Sequence, residues 1–340
     1  MSFIYIHLPP SLKMKRVKFL SQDEEKHQTR REEIIKKYPE VLNLVTIEKS
    51  TKYYVTLTVL FQIVFAYLST FIDDPAMFVL FSYSVGATAA HSLFLAIHEI
   101  SHNLAFQKAI HNQHFGMFAN LPIGIPYSVL FRRYHLLHHS NFGQKLDTDL
   151  PTDFEAYIIS YSATCYLDHC VRKFIYLFFY TAIYALRPVI VAPQIVKYDF
   201  MLAKNVVVQL GFDLCLCMIC GPKALYFLLL STFLAGSIHP LAGRFLSEHL
   251  IMDKNQETYS YYGPWNKMLF SIGLHNEHHD FPNICHTNLI KLHEIAPEYY
   301  KGMLCTKSWM ETQLLFIFDD SLGPHSRIYR QVPTESPGSK

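Results

Sequence analysis

The sequence predicts an all-α integral membrane protein: about four transmembrane helices in two hairpins, with interfacial helices and a cytosolic cap carrying histidine clusters. Three observations carry that expectation. Half of the 340 residues are hydrophobic and only 17% are charged, against about 25% in soluble domains, which points to lipid contact rather than to a larger core. Apolar stretches of roughly spanning length come in two pairs, each joined by a tight turn. Three histidine clusters, drawn from 19 histidines in all, stand beside those stretches.

Residues 1–50 read as a cytosolic N-terminal segment. Met1–Pro10 is apolar but short, and Lys13, Lys15, Arg16 and Lys18 follow without a small-residue cleavage site, so no signal peptide is expected. The charged stretch 22–40 reads as a solvated helix. Residues 51–330 read as one membrane domain. Tyr54–Ile72 is long enough to span, Asp73-Asp74-Pro75 turns, and Met77–Ile97 returns. Phe115–Phe131 is broken by Pro122, Gly124 and Pro126, and Phe174–Pro193 contains Arg187-Pro188. Both are expected at the interface, because a charge at bilayer depth is costly. Asn205–Gly221 and Ala224–Pro240 form the second hairpin, joined at Gly221-Pro222-Lys223. Residues 331–340 are expected to form a disordered tail. The basic N-terminal segment favours the cytosol, and the Asp-Asp turn suits the lumen. A net charge of +2 gives no field suited to nucleic acid. The seven cysteines follow no zinc-ribbon spacing.

The clusters are HEISH, with His98 and His102; HLLHH, with His135, His138 and His139; and HNEHH, with His275, His278 and His279. Residues three and four apart share a helix face, so each cluster aims two or three imidazoles at one point. Eight ring nitrogens exceed the needs of one tetrahedral zinc and suit two metals with open positions for oxygen. Counting the spans places all three clusters on the N-terminal side of the membrane, provided that Phe174–Pro193 does not cross it. His249 and His239 are further candidate ligands, and His91, two turns before His98, is a candidate supporting residue. Glu99, Glu277 and Asp280 are candidates to hold the outer N–H groups of the ligand rings. His111, His114, His169, His286 and His293 are expected at the surface. Tyr259–Tyr262 and Trp265 fit either the headgroup level or a substrate entry. HEISH also matches the zinc-protease pattern, with Glu99 as base, but a zincin has no use for two more three-histidine clusters. A metal transporter would place ligands within the spans, not at their ends.

With these residues in view, the chain resembles the sphingolipid Δ4-desaturases (dihydroceramide desaturases), within the membrane fatty-acid desaturase/hydroxylase superfamily. The three clusters fit that superfamily's histidine boxes. HEISHNLAF (98–106), NLPIGIP (120–126), DTDLPT (147–152), ETYSYYGP (257–264) and HNEHHDFPNI (275–284) narrow the resemblance, which runs from about residue 27 to 330. It implies an oxygen-dependent enzyme with two iron ions, a dihydroceramide-type substrate, and electrons from cytochrome b5 and its NADH-dependent reductase at the endoplasmic reticulum. The chain itself carries no GxGxxG fingerprint and no fused haem domain. A sphingolipid C4-hydroxylase or a bifunctional enzyme is the nearest alternative. One departure bears on activity: where the family typically reads HPxxGHFxxEH, Arg244 replaces a histidine. Arginine stays protonated and does not ligate iron. If that histidine completes a metal shell, one metal here is short of a ligand, and a silent lipid-binding relative becomes the second alternative.

Overall fold

A computed structural model describes residues 25–330 apart from Lys254. The expected basic run at 13–18 and the tail at 331–340 lie outside the described residues. Among the described residues the structure is helical throughout, with a single bridge between Ser260 and Cys305 in place of any strand.

Two long apolar helices open the membrane domain, α2 (Thr51–Ser69) after the N-terminal α1 (Lys26–Lys37), and α3 (Pro75–Ser101). Asp74 starts α3 by accepting the Met77 N–H at 2.8 Å, and Pro75 takes the first helical position, where no N–H is needed. At 19 residues α2 is about 28 Å long, close to the ~30 Å hydrocarbon core. At 27 residues α3 is about 40 Å long, so its last turns, with His98, extend past that core. Over an apolar 18-residue stretch of each, half of α3 is buried against 28% of α2, which makes α3 the more central helix. A π-turn at Ser82–Gly86 interrupts it. The Gly86 carbonyl accepts from the fully buried Gln62 amide at 3.0 Å, so the irregular backbone stays satisfied.

Helix α4 (Ala109–Asn120) and helix α5 (Ser128–Ser140) flank the Pro-interrupted segment Leu121–Ile123. Neither crosses a bilayer alone. Asn120 fixes the corner: its Oδ1 accepts the Tyr127 and Ser128 N–H groups, and its amide donates to Gln209. Helices α6 (Tyr166–Phe178) and α7 (Tyr180–Val191) meet at 78°. The stretch expected at the interface, Phe174–Pro193, falls across this break between two short arms, the break of a broken span or a re-entrant loop. Arg187 on the second arm is buried and bonds Glu155 twice, at 3.0 and 2.7 Å.

The second hairpin is α8 (Phe200–Cys220) and α9 (Pro222–Ala235), turned at Gly221, whose φ of 85° suits glycine. α8 exposes Val207, Leu210, Leu214, Met218 and Ile219, a lipid-facing stripe. Asp213 forms a bond within its own helix, accepting from Gln209 at 2.9 Å. α9 is shorter than the expected Ala224–Pro240, because the chain leaves the helix at Ala235. Among the described residues three helices are long and apolar enough to cross a membrane, or four if the bent pair α6–α7 is one span, and α9 is a shorter apolar helix.

The remaining chain caps one end of the bundle. Helix α10 (His275–Asp280), helix α11 (Leu289–Ile295) and helix α12 (Trp309–Phe318) pack there. α1 is not simply solvated. Ile34 and Val41 pack against Leu274, Phe281 and Leu289, and His27 is buried.

Candidate metal centre

The three boxes come from separate elements: the C-terminal end of α3, the last two turns of α5, and α10. α3 and α5 pack against each other, and α10 brings the His278 ring to 4.6 Å from His98 and 4.9 Å from His139, so helical spacing and tertiary packing aim the same rings inward. His98, His102, His135, His139 and His278 form one cluster, and His138, His249 and His279 a second; within each, the ligand nitrogens lie within 4.8 Å of one another. The clusters share a wall, with the His139 and His279 rings stacked at 4.6 Å. His275 adjoins the second cluster, its Nε2 3.1 Å from that of His249.

The spacing suits shared ions. Two nitrogens about 2.1 Å from one ion, at roughly a right angle, lie about 3.0 Å apart. The Nε2 pairs His102–His135, His135–His139 and His139–His278 measure 2.8, 3.1 and 3.2 Å. The Nε2 atoms of His98, His138 and His279 are buried without any hydrogen-bond partner, a state that normally costs free energy and calls for an explanation. An all-imidazole set of this size fits first-row transition metals, and iron among them.

Burial and mutual repulsion push His135, His139, His249, His275, His278 and His279 well below the usual imidazole range, into the neutral form that ligates. His138 goes the other way. Burial lowers it, but Asp147 and Asp149 outweigh burial and raise it to about 9. A bound cation would take the place of that proton between the same carboxylates.

Asp147 is the residue that holds an outer ring nitrogen. It accepts from His138 Nδ1 at 2.7 Å, which turns Nε2 inward, and its other oxygen accepts the Gly143 N–H at 2.7 Å. The three carboxylates expected in that role serve others. Glu99 accepts the His286 N–H; Glu277 accepts from Ser260, Tyr262 and His293; Asp280 binds Arg30, Tyr300 and His27. His27 in turn lies 5.0 Å from the His279 ring, so α1 buttresses the second cluster from behind. Asp147→Asn is expected to lower metal affinity by about 10- to 100-fold, the usual loss when such a partner is removed, and a metal titration of the purified chain checks it.

Comparison with known proteins decides the family. Residues 74–309 match the profile described as fatty acid desaturase, and residues 20–50 match that of sphingolipid Delta4-desaturase (DES). The chain is 41% identical over 310 residues to the sphingolipid delta(4)-desaturase DES1 of Bos taurus, covering 90% of this chain and 92% of that one. It is 40% identical over 319 residues to the DES1-like protein of Oryza sativa subsp. japonica, 93% of each chain. It is 40% identical over 336 residues to the sphingolipid delta(4)-desaturase of Candida albicans, 92% of this chain and 88% of that one. The chain belongs to the sphingolipid delta(4)-desaturase family. No solved structure matches it.

In this desaturase a cavity lies between the clusters and the bundle. His98, His138 and His249 line its inner end, and Phe94, Tyr127 and Tyr184 are among its walls. Arg244 also lines it. Its Nη1 bonds Glu248 at 2.7 and 3.0 Å, and its Nε donates to His91 at 3.0 Å. The desaturase therefore assembles both clusters without a ligand from position 244. His239 is not brought into either cluster: its ring lies 5.0 Å from Tyr83, with Nε2 3.5 Å from the Thr88 hydroxyl. The ring leaves the site because α9 ends early and Pro240 follows at once. His169, expected at the surface, is buried. Of the aromatic stretch 259–265, none lines the cavity. Tyr259 bonds the backbone of Met252 and Asp253, Tyr261 packs on Trp309, and Ser260 and Tyr262 hold Glu277 of the third box.

Proposed function

We propose that this chain introduces the Δ4 double bond into the sphingoid base of a dihydroceramide, using oxygen and two iron ions. The ions would be held by His98, His102, His135, His139 and His278 and by His138, His249, His279 and His275. It would act as a multi-pass protein of the endoplasmic reticulum with the boxes facing the cytosol. Cytochrome b5 and its NADH-dependent reductase would supply electrons. One observation carries the reading: the apolar, aromatic-walled cavity ends on the histidine clusters.

An alkyl C–H bond has no acidic proton, so the side chains here cannot break it by acid–base chemistry; iron held by the histidine clusters would, with oxygen, supply the hydrogen-atom chemistry. Overall, oxygen takes two electrons from the two C–H bonds and two from the donor. With the two substrate hydrogens and two protons it leaves as two waters. The protein's part is placement and exclusion. Phe94, Phe131 and Phe245 offer apolar surface to the chain and keep water from the reacting carbons. Asp147 keeps His138 in one tautomer and orientation. Tyr127 and Tyr134 bond each other beside the cavity and hold its wall rigid.

Mass spectrometry of sphingoid bases tests this, in cells lacking their own Δ4-desaturase, with and without the chain. A base lighter by two hydrogens is the expected product. A base heavier by one oxygen would make the chain a C4-hydroxylase. Neither product, with the chain present in the membrane, would favour a silent lipid-binding relative.

A further inference from the structure

The second cluster counts three histidines within mutual ligand distance, against five in the first. The tripeptide Asp147-Thr148-Asp149 brackets one of them, His138. Asp147 sits on its outer nitrogen, Nδ1. Asp149 sits on the inner side, with Oδ2 3.8 Å from His138 Nε2 and 3.9 Å from His249 Nε2.

Those distances are too long for hydrogen bonds. They lie within the reach of two atoms bound to one ion, which at about 2.1 Å each are separated by at most about 4.2 Å. The Asp149 side chain is 19% exposed, lines the cavity, and has no hydrogen-bond partner among the described residues. Its backbone, in contrast, is fixed. The Asp149 N–H donates to Asp147 Oδ1 at 2.9 Å, its carbonyl accepts from the buried Arg187 at 3.4 Å, and Thr148 Oγ1 donates to the Tyr134 carbonyl at 3.0 Å. A carboxylate held at this point has two ring nitrogens for neighbours, His138 Nε2 and His249 Nε2, and His138 Nε2 is itself buried and unpartnered.

Charge points the same way. Two divalent ions in a shell of neutral imidazoles leave their charge uncompensated in a buried site. The other carboxylate beside this cavity, Glu248, is already engaged by Arg244.

We propose that Asp149 is the carboxylate ligand of the second metal position, so that the two positions differ in kind: imidazoles alone at the first, imidazoles with one carboxylate at the second. This rests on the metal-binding reading above, and the test separates the two. The full chain is purified in detergent, stripped, and titrated with ferrous iron; metal content and Mössbauer spectra are recorded for wild type, Asp149→Asn and Asp149→Glu. Wild type is expected to bind about two irons in two distinct environments. Asp149→Asn is expected to lose about one iron and one of the two spectral components. Asp149→Glu, which keeps the carboxylate, is expected to retain more metal than Asp149→Asn. Asp149→Asn with wild-type iron content and an unchanged spectrum would overturn the proposal alone. Wild type that binds no iron would overturn the metal reading beneath it. Asp149→Asn is close in size to the native side chain, and its elution as a single folded species is checked beside each titration.

Discussion

His98→Ala, His138→Ala and His278→Ala are each expected to lower product formation by at least about 100-fold while the chain remains in the membrane. The expectation follows from where the rings stand. His98 and His278 belong to the five-histidine cluster and His138 to the three-histidine one, so the three substitutions strike both halves of the site. Losing His138 leaves two rings in its cluster and strands Asp147, whose carboxylate it holds at 2.7 Å. Membrane insertion rests on other residues, the lipid-facing stripes of α2 and α8, which these changes do not touch. Product assays on membrane fractions, with the chain quantified in the same fractions, check this. Full activity in any of the three would sink the idea of one shared site.

Arg244→Ala is expected to destabilise the fold by about 3–5 kcal/mol, because it leaves Glu248 buried and unpaired. The thermal midpoint of the purified chain should fall, and Arg244→Ala with Glu248→Ala should recover much of the loss. Arg244→His is a different test. Neither cluster includes position 244, so iron content should be preserved or raised. A clear drop in iron would mean that Arg244 supports the clusters through His91, to which it donates at 3.0 Å.

The histidine boxes were legible because their spacing is local: residues three and four apart share a helix face whatever the tertiary fold. The carboxylates were misassigned for the same reason. Glu99, Glu277 and Asp280 each sit next to a box histidine in sequence, which on a helix turns them about 100° away from its direction. They face His286, Ser260 and Arg30 instead. Asp147 lies nine residues from His138, beyond the end of α5, and reaches back through a turn. DTDLPT marks it as part of a family pattern, but no periodicity gives its role. His27 was unreadable in a helix whose composition is that of a solvated face, since its partner Asp280 is 253 residues away.

The spans were legible as apolar length, and the early end of α9 was not. Composition does not distinguish a membrane helix from an apolar stretch that leaves the helix to bring His249 over the site. Arg244 stood out as a departure from the family pattern. Its partner Glu248 stands four residues on, one helical turn away, and that pairing explains how a charge sits beside a metal site without joining it.

The most direct test of the central claim is to purify the full chain with its metal, count iron per chain, and follow one reductive turnover with a dihydroceramide under oxygen. The account predicts about two irons per chain and a product lighter by two hydrogens, both lost together in His278→Ala. A chain that carries a single zinc, or that yields the product equally well with His278 replaced, would contradict it.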